Sequence, residues 1–177
     1  MFDFKDQVVI VTGSGSKRGI GRGIANMFAE AGAQVIIADE KSVNEFVKNV
    51  KDKYGKIDVL VNNAGITQRV TVHDMTLDDI KRIFNVNMFG TFLITKAVVE
   101  VMKEAKYGRI VSLSSVSAKR GGGVFGGAHY SASKAALLGF SKNLAREVAG
   151  PIVFLASKEA GYITGEDIDI NGGSHMD

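Results

Sequence analysis

The 177 residues are 45% hydrophobic and 23% charged with a formal net charge of +3, the profile of a globular domain with a sizeable core. Cysteine is absent, which excludes disulfides and thiolate metal sites, and the three histidines lack metal-ligand spacing, so no metal is expected. Lysine and arginine are interleaved with acidic residues rather than clustered as nucleic-acid binding would need, and no apolar run suits a bilayer span or a secretory leader, so a cytoplasmic protein without membrane or nucleic-acid partners is expected.

Val8 to Val11 is a short β-branched run and reads as a buried strand. A glycine-rich turn from Gly13 to Gly21 follows. Ile20, Ile24, Met27, Phe28 and Ala31 then fall at helical spacing, with Gly32 as a C-terminal stop. Val35 to Ala38 reads as a second strand, which completes a strand, helix, strand unit. Val43 to Tyr54 predicts a helix with Val43, Phe46, Val47 and Val50 on one face. Ile57 to Val61 is a third strand, ending in Asn62-Asn63-Ala64-Gly65. A long helical region from Leu77 to Ala105 puts Asn87, Thr91, Ile94, Val98 and Val101 in one stripe. Arg109 to Leu113 is a fourth strand, Tyr130 to Val148 a helix, 152–157 a short helix and 167–170 a last strand. This alternation predicts α/β architecture: a Rossmann-type, doubly wound parallel sheet in three layers, α/β/α, with residues 1–177 as one domain.

The turn Thr12-Gly13-Ser14-Gly15-Ser16-Lys17-Arg18-Gly19-Ile20-Gly21 joins the first strand to the first helix. Its glycines permit a tight turn and close approach of a pyrophosphate, and the helix N-terminus offers free N–H groups. Gly13, Ser16, Arg18, Gly19, Ile20 and Gly21 are therefore candidate dinucleotide contacts. Asp39, at the end of the second strand, can accept bonds from the adenosine ribose and would repel a 2′-phosphate, which favours NAD; alternatively it simply ends a strand. Arg18 pulls toward NADP.

Tyr130 and Lys134 lie one helical turn apart, on one face. A phenol ordinarily titrates near 10, too high for proton exchange at neutral pH. An ammonium about 4 Å away, at an effective dielectric near 20, favours the phenolate by roughly 4 kcal/mol. Such a pair alone is also what a surface lysine beside a half-buried tyrosine looks like. Ser115, just past the fourth strand, sits where ligands bind in open α/β sheets. Asn87 lies on an otherwise apolar helical face, where its amide either holds a water near Lys134 or staples helix to sheet. His129 is either a substrate contact or loop filler.

Thr12 to Gly21, Asn62-Asn63-Ala64-Gly65, Asn87, Ser115, Tyr130-Ser131-Ala132-Ser133-Lys134 and Ile170-Asn171-Gly172-Gly173 together resemble the short-chain dehydrogenase/reductase family, in its oxoacyl-carrier-protein-reductase-like and sugar or polyol dehydrogenase-like branches. The resemblance implies reversible hydride transfer between NAD, or NADP, and a small carbonyl or alcohol substrate. It implies Tyr130 as general acid/base, Lys134 tuning it and holding the nicotinamide ribose, Ser115 orienting the substrate oxygen, and Asn87 supporting a relay water. Asn63, Ala64 and Gly65 would line the adenine-side groove, and the Asn87 and Tyr130 helices would pair subunits into a homodimer or homotetramer.

The chain departs from that pattern. Five residues separate Gly13 from Gly19, where the family has three, and the stretch from Ser115 to Tyr130 is long. Asp39 runs almost directly into Val43, without a βα unit of roughly 30 residues. Val148 passes through Pro151 to the final helix, without a strand and the segment that covers substrate. Either the sheet is shortened by two strands or those segments are left out of this sequence; the strands read here are expected in the order 2-1-3-4, with 167–170 free to pair with the fourth strand. A second reading is a shortened, non-catalytic dinucleotide-binding or assembly module without a closed substrate site.

Overall fold

The computed structural model describes residues 3–38, 42–122 and 126–148. Asp39, the short helix at 152–157 and the strand at 167–170 fall outside these residues. Four strands, β1 (Val8–Thr12), β2 (Gln34–Ala38), β3 (Val59–Asn62) and β4 (Arg109–Ser112), form one parallel sheet in the order β2-β1-β3-β4. Val9 pairs with Val35 on one side and Val59 on the other, and Val61 with Val111. The order matches the expectation, and the chain reverses direction of travel across the sheet beside β1 and β3. In parallel α/β sheets that switch point is where ligands bind, at the C-terminal strand ends.

Alternate β1 residues point to opposite faces, and both faces are covered, so β1 is buried from end to end. Val9 and Val11 pack with Val59 and Val61 under α1 (Ile20–Glu30), through Ala25, Ile24 and Phe28. Val8, Ile10 and Leu60 pack on the other face, under α2 (Val43–Tyr54) and α4 (Thr91–Ala105), through Phe46, Val47, Val50, Ile94, Val98 and Met102. This is the three-layer arrangement read from the sequence.

Local chemistry sets the ends of these elements. Gly55, at φ 75°, stops α2 and donates its N–H to the Lys51 carbonyl at 2.7 Å. α3 (Leu77–Phe84) starts on a reciprocal cap: the Thr76 hydroxyl takes the Asp79 N–H, and the Asp79 carboxylate takes the Thr76 N–H. The third strand begins two residues later than the sequence suggests. Asp58 supplies its first ladder bond and also spends its carboxylate on the Val8 N–H at 2.7 Å.

One expectation needs correction. The face of α1 toward the sheet carries Gly21 and Ala25, flanked by Ile24 and Phe28, whereas Ile20 and Met27 are 72% and 69% exposed. Two small residues let the helix approach the strands, which a count of large apolar side chains does not show. The long helical region is also not uniform. Between α3 and α4 the chain makes a π-helical turn, Asn85–Gly90, and a short helix, α5 (Ser117–Arg120), follows β4. The final described helix, α6 (Ala128–Val148), starts two residues before Tyr130.

Candidate active site

Two clusters assemble at the C-terminal ends of the strands. The first joins β1 to β3. The Thr12 hydroxyl accepts the N–H groups of Asn63 and Ala64, both at 3.0 Å. The Asn63 amide donates back to the carbonyls of Thr12 and Gly13, at 2.9 and 3.2 Å. The backbones meet so closely that a Cβ on Gly13 would lie 2.6 Å from the Ala64 Cα, and φ there is 66°. A Cβ on Gly21 would strike the Asn63 side chain and the Gly13 carbonyl. Ser14, fully buried, donates to the Val11 carbonyl at 2.8 Å and holds the bend.

Beyond this clamp the turn opens to solvent. Gly15, Ser16, Arg18, Gly19 and Ile20 are exposed. Gly19 precedes α1 in an extended conformation, with no side chain capping the helix and no acidic residue in its first turn. The first N–H groups of α1 therefore face outward without a competing anion, as a pyrophosphate requires. The cradle of Gly13 and Gly21 and the uncapped α1 N-terminus fit a dinucleotide.

The second cluster joins β3, the π turn and α6. Asn87, fully buried, accepts the Ile66 N–H at 2.8 Å and donates to the Ile66 carbonyl and the Ser133 hydroxyl, both at 3.0 Å. Both amide protons are thereby used, so the side chain staples the post-β3 loop to α6. Its backbone carbonyl accepts the Thr91 hydroxyl at 2.9 Å. Ser133 passes the chain of bonds to the Tyr130 carbonyl at 2.8 Å.

Lys134 is 4% exposed and donates to the Leu113 carbonyl at 2.6 Å, past the end of β4. Burial pushes its ammonium below the ordinary lysine range of 10.5. Among the described residues no carboxylate pairs with it. The Ser114 hydroxyl fixes the same helical turn from the Lys134 carbonyl, at 2.9 Å. Ser115 follows, its Oγ accepting the Ser117 N–H at 3.2 Å. Tyr130 is half-buried one turn before Lys134.

The run Asn63-Ala64-Gly65 divides between the clusters. Asn63 and Ala64 hold the glycine turn, whereas a Cβ on Gly65 would lie 3.4 Å from both the Asn87 Oδ1 and the Lys134 Nζ. The structure thus brings Gly65, Asn87, Ser133 and Lys134 together, and Thr12, Gly13, Gly21, Asn63 and Ala64 together. Asp39 lies outside the described residues. His129 is neither exposed nor in a loop: it is 3% exposed within α6, with Nε2 3.3 Å from the Gln68 Oε1. Sequence reasoning passed over Gln68, Thr12 and Ser133 as individual contributors. Only Ser133, at helical spacing from Tyr130, carried a readable signal. No group of three histidine or acidic residues that could hold a metal occurs among the described residues.

The short chain dehydrogenase family model matches residues 37–166. The chain belongs to the short-chain dehydrogenase family. It is 32% identical to an uncharacterized short-chain type dehydrogenase/reductase, y4mP, of Sinorhizobium fredii, over 96% of this chain and 97% of that one. It is 30% identical to the 3-oxoacyl-[acyl-carrier-protein] reductase FabG of Escherichia coli, over 98% and 99%. The ligand-free structure of Thermoplasma acidophilum aldohexose dehydrogenase superposes with a TM-score of 0.74 at 32% identity, over 84% of this chain. This chain spans 64% of that dehydrogenase. Members of the family are NAD(P)-dependent oxidoreductases. The alignment with the reductase runs over 246 positions and this chain has 177 residues, so at least 69 aligned positions have no residue here. No helix among the described residues is long and apolar enough to cross a membrane.

Proposed function

We propose that this chain, acting as a single domain, catalyses reversible hydride transfer between a nicotinamide dinucleotide and a small carbonyl or alcohol substrate. The observation that supports this most is the buried Lys134 ammonium, anchored at the end of β4 one helical turn from Tyr130. Gly13, Ser16, Arg18, Gly19, Ile20, Gly21, Asn63 and Ala64 would hold the dinucleotide on its phosphate side, and Lys134 and Gly65 on its nicotinamide side. Bound there, the dinucleotide supplies the hydride donor or acceptor. The residues of the chain manage the proton. In reduction the Tyr130 hydroxyl gives its proton to the substrate oxygen, and in oxidation the phenolate takes it back. Lys134 would hold the nicotinamide ribose beside Tyr130, and the Ser115 hydroxyl would orient the substrate oxygen. Asn87 holds Ile66 and Ser133 in register, and its Oδ1 keeps one lone pair for a relay water. Asp39 argues from the sequence for NAD over NADP.

Phe89, Phe92 and Leu93 are exposed along the π turn and α4, and Phe92 meets Phe140 of α6 edge-on at 6.2 Å. We assign this face to pairing with a second copy, in a cytoplasmic homodimer or homotetramer.

The test is turnover with NADH or NADPH and acetoacetyl thioester, and with NAD or NADP and an aldohexose, the substrate classes named for the relatives. Tyr130→Phe is expected to lower kcat about 1,000-fold while leaving NADH affinity nearly unchanged. Equal turnover in that variant would remove Tyr130 from the reaction. The second reading, a non-catalytic dinucleotide-binding module, draws on the absent aligned positions and on β4, where Val111 is 52% exposed. Tight NADH binding without turnover on any substrate would favour it.

A further inference from the structure

The structure points to Gln68 as a positioning residue for Tyr130, an inference that rests on the acid/base role proposed above. Gln68 lies in the loop after β3 and bonds in four directions. Its Oε1 accepts Arg82 of α3 at 2.7 Å and faces His129 Nε2 at 3.3 Å. Its Nε2 donates to Asp79 Oδ1 at 2.8 Å, and its main-chain carbonyl accepts the Gly127 N–H at 2.9 Å. The amide orientation is fixed by these partners, because the reverse would turn an NH2 group toward the Arg82 guanidinium and a carbonyl toward the Asp79 carboxylate. With Oε1 as acceptor, His129 carries its proton on Nε2.

All of the contacts toward α6 converge on the turn that carries Tyr130. The Gly127 carbonyl accepts the N–H groups of Tyr130 and Ser131, at 3.1 and 3.2 Å. Gly126 lies against the tyrosine ring so closely that a Cβ there would sit 2.6 Å from Tyr130 Cδ1 and 2.7 Å from Thr67 Oγ1. A Cβ on Gly127 would sit 2.6 Å from the Val70 carbonyl. Gln68 therefore holds the helix start through its main chain and the neighbouring His129 through its side chain, without touching Tyr130. Lys134 and Asn87 fix the next turn of α6. Without the Gln68 side chain the ring-bearing first turn loses its hydrogen-bonded link through His129 to Arg82 and Asp79 of α3, while the main-chain bond to Gly127 and the rest of the site remain.

The test compares Gln68→Leu, His129→Phe and His129→Gln in the full chain, with acetoacetyl thioester and NADH as probes. It reads kcat, KM, NADH affinity and the exchange rates of the Tyr130 and Ser131 amides. Gln68→Leu and His129→Phe are expected to lower kcat roughly 10- to 100-fold, the scale of a misplacement of about 1 Å. NADH affinity should stay within about twofold, and both amides should exchange faster. His129→Gln keeps an N–H where Nε2 was and should recover most of the rate. Unchanged amide exchange in Gln68→Leu, which keeps the main-chain bond to Gly127, overturns the side-chain anchor through His129. Faster exchange with unchanged kcat overturns the positioning role, and so does an equal fall in kcat and NADH affinity, which marks general collapse. A wild-type chain that binds NADH but turns over nothing overturns the acid/base reading itself, a result distinct from an active wild type indifferent to Gln68.

Discussion

The two clusters at the strand ends are neighbours, yet they are built by different means. The β1 to β3 clamp presses two backbones together, with glycines where a Cβ would collide and the Thr12 hydroxyl and Asn63 amide bonding across the seam. The α6 cluster is side-chain amides, hydroxyls and one buried ammonium. The first cluster is steric and should fail abruptly on a single added carbon, at any pH. The second is electrostatic and should respond to protonation and to loss of individual bonds.

The sharpest way to separate them is Gly13→Val. It places a β-branched residue at φ 66° with its Cβ 2.6 Å from the Ala64 Cα. We expect a loss of roughly 3 kcal/mol of stability from strain and overpacking together, measured by denaturant unfolding, with the same deficit at pH 7 and pH 9. A variant as stable as the parent would show that the clamp is loose.

Lys134 should give the opposite, pH-dependent behaviour. Burial holds its folded pKa below 10.5, so between those values the unfolded chain binds the proton that the folded chain has released. The cost of the buried ammonium is present in full below the folded pKa and is relieved as pH rises through it toward 10.5. Relative to Lys134→Met, the parent should gain stability with pH across that window, at up to about 1.4 kcal/mol per pH unit. Parallel pH profiles for the two proteins would mean that the ammonium is not desolvated.

The smallest effect belongs to the cap that links α3 to Gln68. The Thr76 hydroxyl, then the Gln68 amide and the Thr76 N–H, hold the Asp79 carboxyl at about 2, down from 3.8. Its support for the α3 start is complete above 3.8 and lost as pH falls toward 2. Thr76→Ala should cost about 1 kcal/mol through the lost cap and move the Asp79 carboxyl titration upward, as followed by NMR. An unmoved titration would place the Asp79 bonds elsewhere.

Period and spacing carried the Val43–Tyr54 helix and the residues with distinctive chemistry, whereas the strand order followed from the family resemblance less its missing βα unit. Asn87 stood out as one amide in an apolar stripe, but spacing could not say what it bonds; Ile66 and Ser133 lie 21 and 46 residues away. Gln68 was unreadable for the same reason, its partners being 11, 14 and 61 residues off. Ile20 and Met27 misled because Gly21 and Ala25, which meet the sheet, carry no strong hydrophobic signal. The π turn at Asn85–Gly90 leaves the helical period nearly intact and so left no mark in the sequence.

We hold that both clusters, in a chain lacking at least 69 alignment positions of its relatives, frame one nicotinamide dinucleotide groove. Fluorescence titration with NADH tests it directly. Saturable binding by the parent chain and none by Gly13→Val are expected. No saturable binding by the parent, to NADH or to NADPH, would contradict it.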